Sequence, residues 1–141
     1  MKKILIALLV ITMLVAGVSV LADIGVTING VPLEMEVPPA MINNRTMVPL
    51  RAIAEALDAR VEWNQELQQI TIYAGDRVCI LTVNENVAAI FDAGGNANIS
   101  PLDVPPTIID NRTLVPVRFF AEFFGSVVDW DQDTQTVIIE R

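Results

Sequence analysis

The chain has 141 residues, of which 52% are hydrophobic and none is histidine, and its formal net charge is −8. Such an acidic chain is repelled by nucleic acid, by anionic lipid headgroups and by phosphate-rich wall polymers, so we expect none of them to be a partner. The lack of histidine excludes a Ser-His nucleophile and removes the imidazole ligands that suit copper.

The N-terminal segment, positions 1–22, has the pattern of a secretory signal peptide. Lys2 and Lys3 give a positive start, positions 4–16 are apolar, and Val20 and Ala22 suit cleavage after Ala22. An uncleaved membrane anchor is the alternative, although the run is shorter than the roughly 20 residues of a spanning helix. We expect a secreted or extracytoplasmic envelope protein that leaves the membrane after cleavage. Its mature part would carry seven arginines, no lysine and a net charge of −10.

The mature part contains one sequence motif twice, which we call the Val-Pro-Pro phrase. VPPAMINNRTMVPLRAIAEALD begins at Val37, and VPPTIIDNRTLVPVRFFAEFFG begins at Val104. When Val37 is aligned with Val104 without gaps, 17 of the 36 positions from 37 to 72 are identical in the second copy. Internal repetition of this kind indicates a duplicated unit, and the mature part is long enough for one sizeable core. We therefore predict a single domain, 23–141, built of two repeats, 23–74 and 75–141.

The predicted elements follow a common order in both repeats. Before them, Asn-Gly in VTINGVPL is typical of a hairpin. In each repeat the Pro-Pro pair indicates an extended backbone segment, and the Asn-Arg-Thr stretch that follows indicates a turn. The next proline indicates the first position of a helix. Apolar residues at i, i+3, i+4 and i+7 predict one buried helix face per repeat. These faces are Leu50, Ile53, Ala54 and Leu57 in the first repeat, and Val117, Phe120, Ala121 and Phe124 in the second.

Strand pairs are predicted after each helix. Positions 60–63 and 69–73 flank the polar turn NQEL, and positions 127–130 and 136–140 flank DQDT. The stretches VCILTV and VAAIF predict another strand pair between the repeats. Cys79, in the first of these strands, is either a buried small hydrophobic residue or forms an intermolecular disulfide. We predict an α+β fold: antiparallel β-sheet curled around two short α-helices, with pseudo-twofold character.

The stretches NRTMVPLRAIAEAL…VEWNQELQQITI and NRTLVPVRFFAEFFG…VDWDQDTQTVII resemble the copper amine oxidase N-terminal domain family, also called the stalk domain. The resemblance covers nearly the whole mature part and implies a small sheet packed on a helix, in exported bacterial proteins without assigned catalysis. Asp58, Asn44 and Asn111 stand where glycine is common in the family, so the departures concern turns. We expect no copper-dependent oxidation, because the chain has no histidine.

Eight duplicated residues make up the structural motif of the repeats. They are Arg45, Arg51, Glu55, Trp63, Arg112, Arg118, Glu122 and Trp130. Glu55 and Glu122 could form a glycosidase pair, but each follows an arginine at the i+4 position, which favours an ion pair within the helix. Arg45 and Arg112 either bind anions at loop tips or donate to carbonyls of the adjacent turns. The tryptophans either pack beneath the helices or stack on sugars. We expect no catalytic residue, cofactor or metal ligand.

Two local features have alternative interpretations. The acidic turn from Asp129 to Asp133 resembles a calcium loop, but Thr134 stands where such a loop needs glycine, so a solvated hairpin turn is the alternative. Phe119 and Phe123 replace Ala52 and Ala56 of the first repeat. They either cover the first helix from inside or form an exposed patch that binds a partner or a second copy in a homodimer.

These observations favour a non-catalytic exported interaction or structural module of the cell envelope. Its partner would be another envelope protein or a neutral wall polymer. The alternative is a small carbohydrate-binding or calcium-dependent envelope protein that uses its acidic turns and tryptophans.

Overall fold

The computed structural model describes residues 23–141, so the predicted signal peptide lies outside the described residues. This part contains thirteen β-strands and two short α-helices. The strands are β1 (Gly25–Ile28), β2 (Val31–Pro32), β3 (Ala40–Ile42), β4 (Arg45–Pro49), β5 (Arg60–Asn64), β6 (Gln69–Ala74), β7 (Arg77–Thr82), β8 (Val87–Phe91), β9 (Ala97–Pro101), β10 (Thr107–Ile109), β11 (Arg112–Pro116), β12 (Val127–Asp131) and β13 (Thr136–Glu140). The helices are α1 (Leu50–Ala56) and α2 (Arg118–Phe124). None of the helices in this part is long and apolar enough to cross a membrane.

The strands form three sheets. Sheet A has the order β12-β13-β1-β2, sheet B the order β10-β11-β4-β3, and sheet C the order β5-β6-β7-β8-β9. We predicted an α+β fold, and its curled sheet and two short helices are confirmed, although the described part is mostly β-sheet. The prediction of purely antiparallel sheet is wrong at one place, because β1 pairs with β13 in parallel. Parallel neighbouring strands need a long connection, and here nearly the whole chain of the domain connects β1 to β13.

Sheet B joins two hairpins edge to edge. β3 and β4 form one hairpin, β10 and β11 form the other, and β4 pairs antiparallel with β11. In that register Val48 lies opposite Val115, and Met47 lies opposite Pro116. Each hairpin turn has two residues at positive φ, such as Asn43 at 48° and Asn44 at 60°. Asparagine tolerates this conformation, which is why the turn closes without the glycine common in the family.

Each helix begins directly after sheet B. Pro49 precedes α1 as its N-terminal cap, with extended backbone angles, and α2 begins two residues after Pro116. The prediction that these prolines are the first helical residues is therefore wrong by one or two positions, since the prolines still belong to the strands. α2 ends at Gly125, which has a φ of 68° and thus takes the left-handed conformation typical of a helix C-terminus.

The main core lies between the helices and sheets A and C. The predicted face of α1 is confirmed, since Leu50, Ile53, Ala54 and Leu57 are all buried. The predicted face of α2 is only partly right. Four phenylalanines of α2 are buried (Phe119, Phe120, Phe123 and Phe124), whereas Val117 and Ala121 are half-buried. α2 therefore buries a broader face, rotated relative to the predicted one, because residues of two adjacent apolar stripes pack in the core.

Arginines from elsewhere in the chain satisfy the carbonyls at the helix ends. The Arg141 guanidinium donates to the Leu57 carbonyl at 2.8 Å, beside the end of α1. The Arg77 guanidinium donates to the Phe123 carbonyl in α2 and lies 4.9 Å from the centre of the Phe123 ring. A cation at a helix C-terminus is favoured by both the free carbonyls and the helix dipole. These contacts hold α1 to the end of sheet A and α2 to sheet C.

Candidate functional site

A groove of about 750 Å³ opens to solvent beside α1. Three parts of the chain line it: α1 with Ala52, the inner side of the β5–β6 hairpin with Trp63, and residues 34–37. The tip of the β10–β11 hairpin, with Arg112, closes one side. We call this recess the α1 groove. It lies between the first repeat and the hairpin tip of the second, so it exists only when both repeats are folded together.

Trp63 forms an apolar wall of the α1 groove. It is half-buried and packs against the main core, and its indole N–H donates to Gln65 Oε1 at 2.9 Å. Trp130, at the aligned position, is 41% exposed and makes the same bond to Gln132 at 2.9 Å. Both tryptophans therefore support the hairpin turns, and their N–H groups are already paired. What Trp63 offers to a ligand is the face of its ring.

Arg45 and Arg112 reach across the pair of hairpins. Arg45 Nε lies 2.9 Å from Asp103 Oδ2, and Arg112 forms an ion pair with Glu36. The prediction of carbonyl partners holds only for Arg112, which also donates to the Asn111 carbonyl at 3.3 Å. The β4–β11 pairing explains the difference, because it places each hairpin tip beside the carboxylate that precedes the other Val-Pro-Pro phrase. These pairs are solvent-exposed and contribute about 0–1 kcal/mol each.

The predicted ion pairs within the helices do not form. Arg118 pairs instead with Asp103, with 3.3 Å between Nη1 and Oδ2. Arg51 has no ion pair with any residue in 23–141. An arginine at position i with a glutamate at i+4 is the less favourable order on a helix, and both helices have only seven residues. Asp103 is thus the better partner for Arg118, whereas Arg51 and Glu55 both face the α1 groove.

The two duplicated glutamates lie on different helices and in different surroundings. Glu55 lines the α1 groove and makes no side-chain hydrogen bond to the described residues. Glu122 lies 3.4 Å from the Ser100 hydroxyl, measured from Oε2 to Oγ. Nothing in this arrangement pairs the two carboxyl groups across one recess, as glycosidase chemistry needs.

The acidic turn of the second repeat uses its carboxylate to close the turn. Asp131 Oδ1 accepts the backbone N–H of Asp133 at 2.9 Å and that of Thr134 at 3.2 Å. Asn64 does the same for Leu67 in the first repeat, at 3.0 Å. Within residues 23–141, no three histidine, cysteine, aspartate or glutamate side chains converge where they could hold a metal ion.

Cys79 lies on the buried face of β7. It is fully buried, and that burial raises the pKa of its thiol from 9.0 to about 12, although the charge of Arg77 acts in the opposite direction. A thiol with such a pKa is neutral at physiological pH and is a poor nucleophile. Its location also keeps the sulfur away from other molecules while the domain is folded.

Phe119 and Phe123 belong to the main core. They are 2% and 1% exposed, and their rings stack with centres 5.5 Å apart and an angle of 12° between the planes. They therefore offer no surface to a partner or a second copy in this fold. Ala52, in contrast, is half-buried and faces the α1 groove. Sequence reasoning noted the difference between Ala52 and Phe119 but did not predict the groove, since the opposite walls come from distant parts of the chain.

Comparison with known proteins gives two results. A protein of Brevibacillus choshinensis named "Protease inhibitor" is 26% identical over 122 residues, covering 84% of this chain and 35% of the relative. The chain thus spans about a third of the length of that curated relative. The family model described as copper amine oxidase N-terminal domain matches residues 27–139, which is nearly all of the described part. In agreement with its duplicated Arg, Pro, Glu and Trp positions, the chain belongs to the copper amine oxidase N-terminal domain family.

Proposed function

We propose that this protein is a non-catalytic, exported module of the cell envelope that binds a partner protein in the α1 groove. The observation that carries the proposal is the groove itself. It is open beside the apolar ring of Trp63 and is lined by three charged side chains, Glu34, Arg51 and Glu55, that have no ionic partner among the described residues. Aromatic and arginine side chains are the residues most enriched at protein interfaces.

Export is supported by the N-terminal segment, positions 1–22, with its positive start, apolar run and cleavage motif. The resemblance noted above points to the same compartment. The domain also needs no disulfide for its core, since Cys79 is the single cysteine of the chain and is buried.

The proposal includes an internal duplication with a pseudo-twofold relation between the repeats. The two stretches share the element order strand, strand, helix, strand, strand. Their central strands pair so that Val48 lies opposite its own aligned residue, Val115. The ion pairs are exchanged in the same way, because the Arg112–Glu36 pair corresponds residue by residue to the Arg45–Asp103 pair.

A protein is favoured over a neutral wall polymer because of the charges that line the groove. Glycan stacking would use the Trp63 ring but would leave the guanidinium of Arg51 without a counter-ion. A protein segment can offer apolar and ionic groups together. The net charge of −10 for residues 23–141 also favours a partner with a neutral or basic surface.

A site-specific photo-crosslinking experiment tests this proposal. A photoreactive amino acid replaces Gln65, which lines the α1 groove, or Gln132, which has the same hydrogen bond to its tryptophan in the second repeat. Both proteins are expressed in the exporting bacterium and irradiated. We expect protein-sized adducts from position 65 and none from position 132. Adducts of equal yield at both positions, or none at position 65, would remove the groove as the binding site.

Inhibition of a protease is a second candidate, favoured only by the name of the Brevibacillus choshinensis relative. It is compatible with a non-catalytic protein-binding module, with the protease as the partner. The test is titration of purified residues 23–141 against a trypsin-like, a subtilisin-like and a thermolysin-like protease. Stoichiometric loss of peptidase activity would support inhibition, and full activity at a tenfold molar excess of the domain would exclude these three classes.

A further inference from the structure

Strand β9 forms one edge of sheet C, and its outer side is open to solvent. β9 pairs with β8, and no strand within residues 23–141 pairs with it on the other side. Four of its five residues are exposed, and Ile99 at its centre is 60% exposed. The backbone groups on this side of β9 are therefore accessible to another strand.

Two hydrogen bonds just beyond the ends of β9 show which backbone groups point outward. The Leu102 N–H donates to the Asn86 carbonyl at 2.8 Å, and the Asp92 N–H donates to the Asn96 carbonyl at 3.1 Å. Hydrogen-bonded pairs alternate along an antiparallel ladder, so positions 98 and 100 also bond to β8. Since proline has no N–H, the open edge offers two donors and three acceptors, which belong to Ala97, Ile99 and Pro101.

β9 lacks the features that protect the other sheet edges from association. None of its five residues is charged. The other two edge strands of this length carry charged side chains, Arg60 and Glu62 on β5 and two aspartates on β12. The remaining edge strands, β2, β3 and β10, have only two or three residues. Charge and shortness are common ways in which proteins prevent pairing at a free edge.

The outward side chain of Ile99 continues an apolar surface on the outer face of sheet C. In the register of the sheet Ile80 lies opposite Ala89, and Ala89 lies opposite Ile99. The side chains of this surface pack against neither of the two buried core clusters. They are Val78, Ile80, Ala89, Phe91, Ala97 and Ile99.

We infer that β9 pairs antiparallel with β9 of a second copy of this chain, about a twofold axis at Ile99, so that the two copies of sheet C form one continuous sheet. In this register all five residues of each strand overlap, and Ala97 lies opposite Pro101 of the second copy. The Ile99 N–H donates to the Ile99 carbonyl of the second copy, and the Ala97 N–H donates to the Pro101 carbonyl. The twofold axis repeats both bonds, so every outward N–H of the two strands is paired.

The occupant is a second copy because this edge complements itself. The missing N–H of Pro101 leaves no donor unpaired, and the two Ile99 side chains lie opposite each other, with Cα atoms about 5.5 Å apart. A charged segment of another protein would find no counter-ion on β9. Glu122 contacts Ser100 at 3.4 Å, but the Ser100 side chain lies on the opposite face of the strand from Ile99.

One strand pair is a small interface, and each copy carries a net charge of −10. Interfaces below about 1,200 Å² belong to weak complexes, so we expect dimers only at protein concentrations of about 0.1 mM or above. The α1 groove lies beside β5, at the opposite edge of sheet C from β9. The dimer therefore leaves both grooves open, and the inference does not depend on the proposed function.

Sedimentation equilibrium of residues 23–141 at physiological ionic strength tests the inference. Ile99→Pro removes the outward N–H and leaves the bonds to β8 intact, and Pro101 shows that β9 accommodates proline at an outward position. Ile99→Lys places two cations opposite each other. We expect each variant to weaken self-association at least tenfold. Val127→Lys is the matched control, because Val127 is also 60% exposed and lies on the edge strand β12, so association should be unchanged.

Amide hydrogen exchange identifies the surface that the dimer uses. The amides of Ala97 and Ile99 should exchange about fourfold more slowly at about 1 mM than at about 0.01 mM protein, if the dissociation constant is about 0.1 mM. The amides of Asn98 and Ser100 bond to β8 and should be protected at both concentrations. Their protection in Ile99→Pro also shows that the variant is folded.

A parent protein that sediments as a monomer up to about 1 mM would overturn the inference. The same holds if both Ile99 variants associate like the parent, or if Val127→Lys weakens association as much as they do. A dimer in which exchange at Ala97 and Ile99 is independent of concentration must use another surface, which also overturns it. None of these results affects the adducts expected at position 65, so this failure is distinguishable from failure of the proposed function.

Discussion

Truncation of the α2 phenylalanines is the most direct test of the core described above. Phe123 is 1% exposed, and its ring lies 5.5 Å from that of Phe119, 4.9 Å from that of Phe124 and 4.9 Å from the Arg77 guanidinium. Replacing a fully buried phenylalanine with alanine costs about 3–5 kcal/mol, which includes both the lost transfer free energy and the cavity. We expect Phe119→Ala and Phe123→Ala each to fall in this range.

The double variant should cost less than the sum of the single variants. The two rings stack on each other, and an aromatic pair of this kind contributes about 0.5–1.5 kcal/mol that either truncation already removes. The expected total of about 5–9 kcal/mol is comparable with the entire free energy of unfolding of an ordinary domain, about 5–15 kcal/mol. The double variant should therefore be largely or wholly unfolded at 25 °C.

Urea unfolding followed by tryptophan fluorescence measures these free energies. Ile99→Ala serves as the control, because Ile99 is 60% exposed and its truncation should change the free energy of unfolding by less than about 0.5 kcal/mol. If the double variant keeps the urea midpoint and slope of the parent, the phenylalanines do not stabilise the core. If it keeps that midpoint but loses partner binding, the exposed-patch interpretation of Phe119 and Phe123 returns.

Three further predictions follow from the buried thiol, the strand pairing and the acidic turn. Burial raises the pKa of the Cys79 thiol from 9.0 to about 12, so between pH 9 and 12 only the unfolded chain loses this proton. The free energy of unfolding should therefore fall as the pH rises from 9 to 12. In urea titrations, Cys79→Ala should remove this pH dependence. The two halves of the domain, expressed separately as residues 23–74 and 75–141, should give poorly dispersed amide NMR spectra. The reason is that β1 pairs with β13 and β4 pairs with β11, so each half loses strand partners. Well-dispersed spectra from both halves would contradict a single domain. Millimolar calcium should leave the melting temperature unchanged, since Asp131 already closes its turn; a clear rise would favour the calcium-dependent alternative.

Local features of this protein could be read from its sequence because they depend on nearest neighbours. The spacing of Leu50, Ile53, Ala54 and Leu57 identified the buried face of α1, since an isolated apolar stripe leaves only one way to orient a helix. α2 carries two adjacent apolar stripes, so spacing alone could not show that residues of both are buried. The hairpins at residues 60–74 and 127–140 were predicted for the same local reason, from short apolar runs around polar turns.

The choice of partners was decided only in the folded molecule. Which strand accepts β1, and whether Arg118 pairs with Glu122 or Asp103, depends on groups that are distant from each other in the sequence. An exposed ion pair differs from its competitors by less than about 1 kcal/mol, so local spacing is a weak guide to it. The α1 groove is the clearest case. Its lining comes from α1, a hairpin of the same repeat and the hairpin tip of the other, and only the β4–β11 pairing brings these parts together.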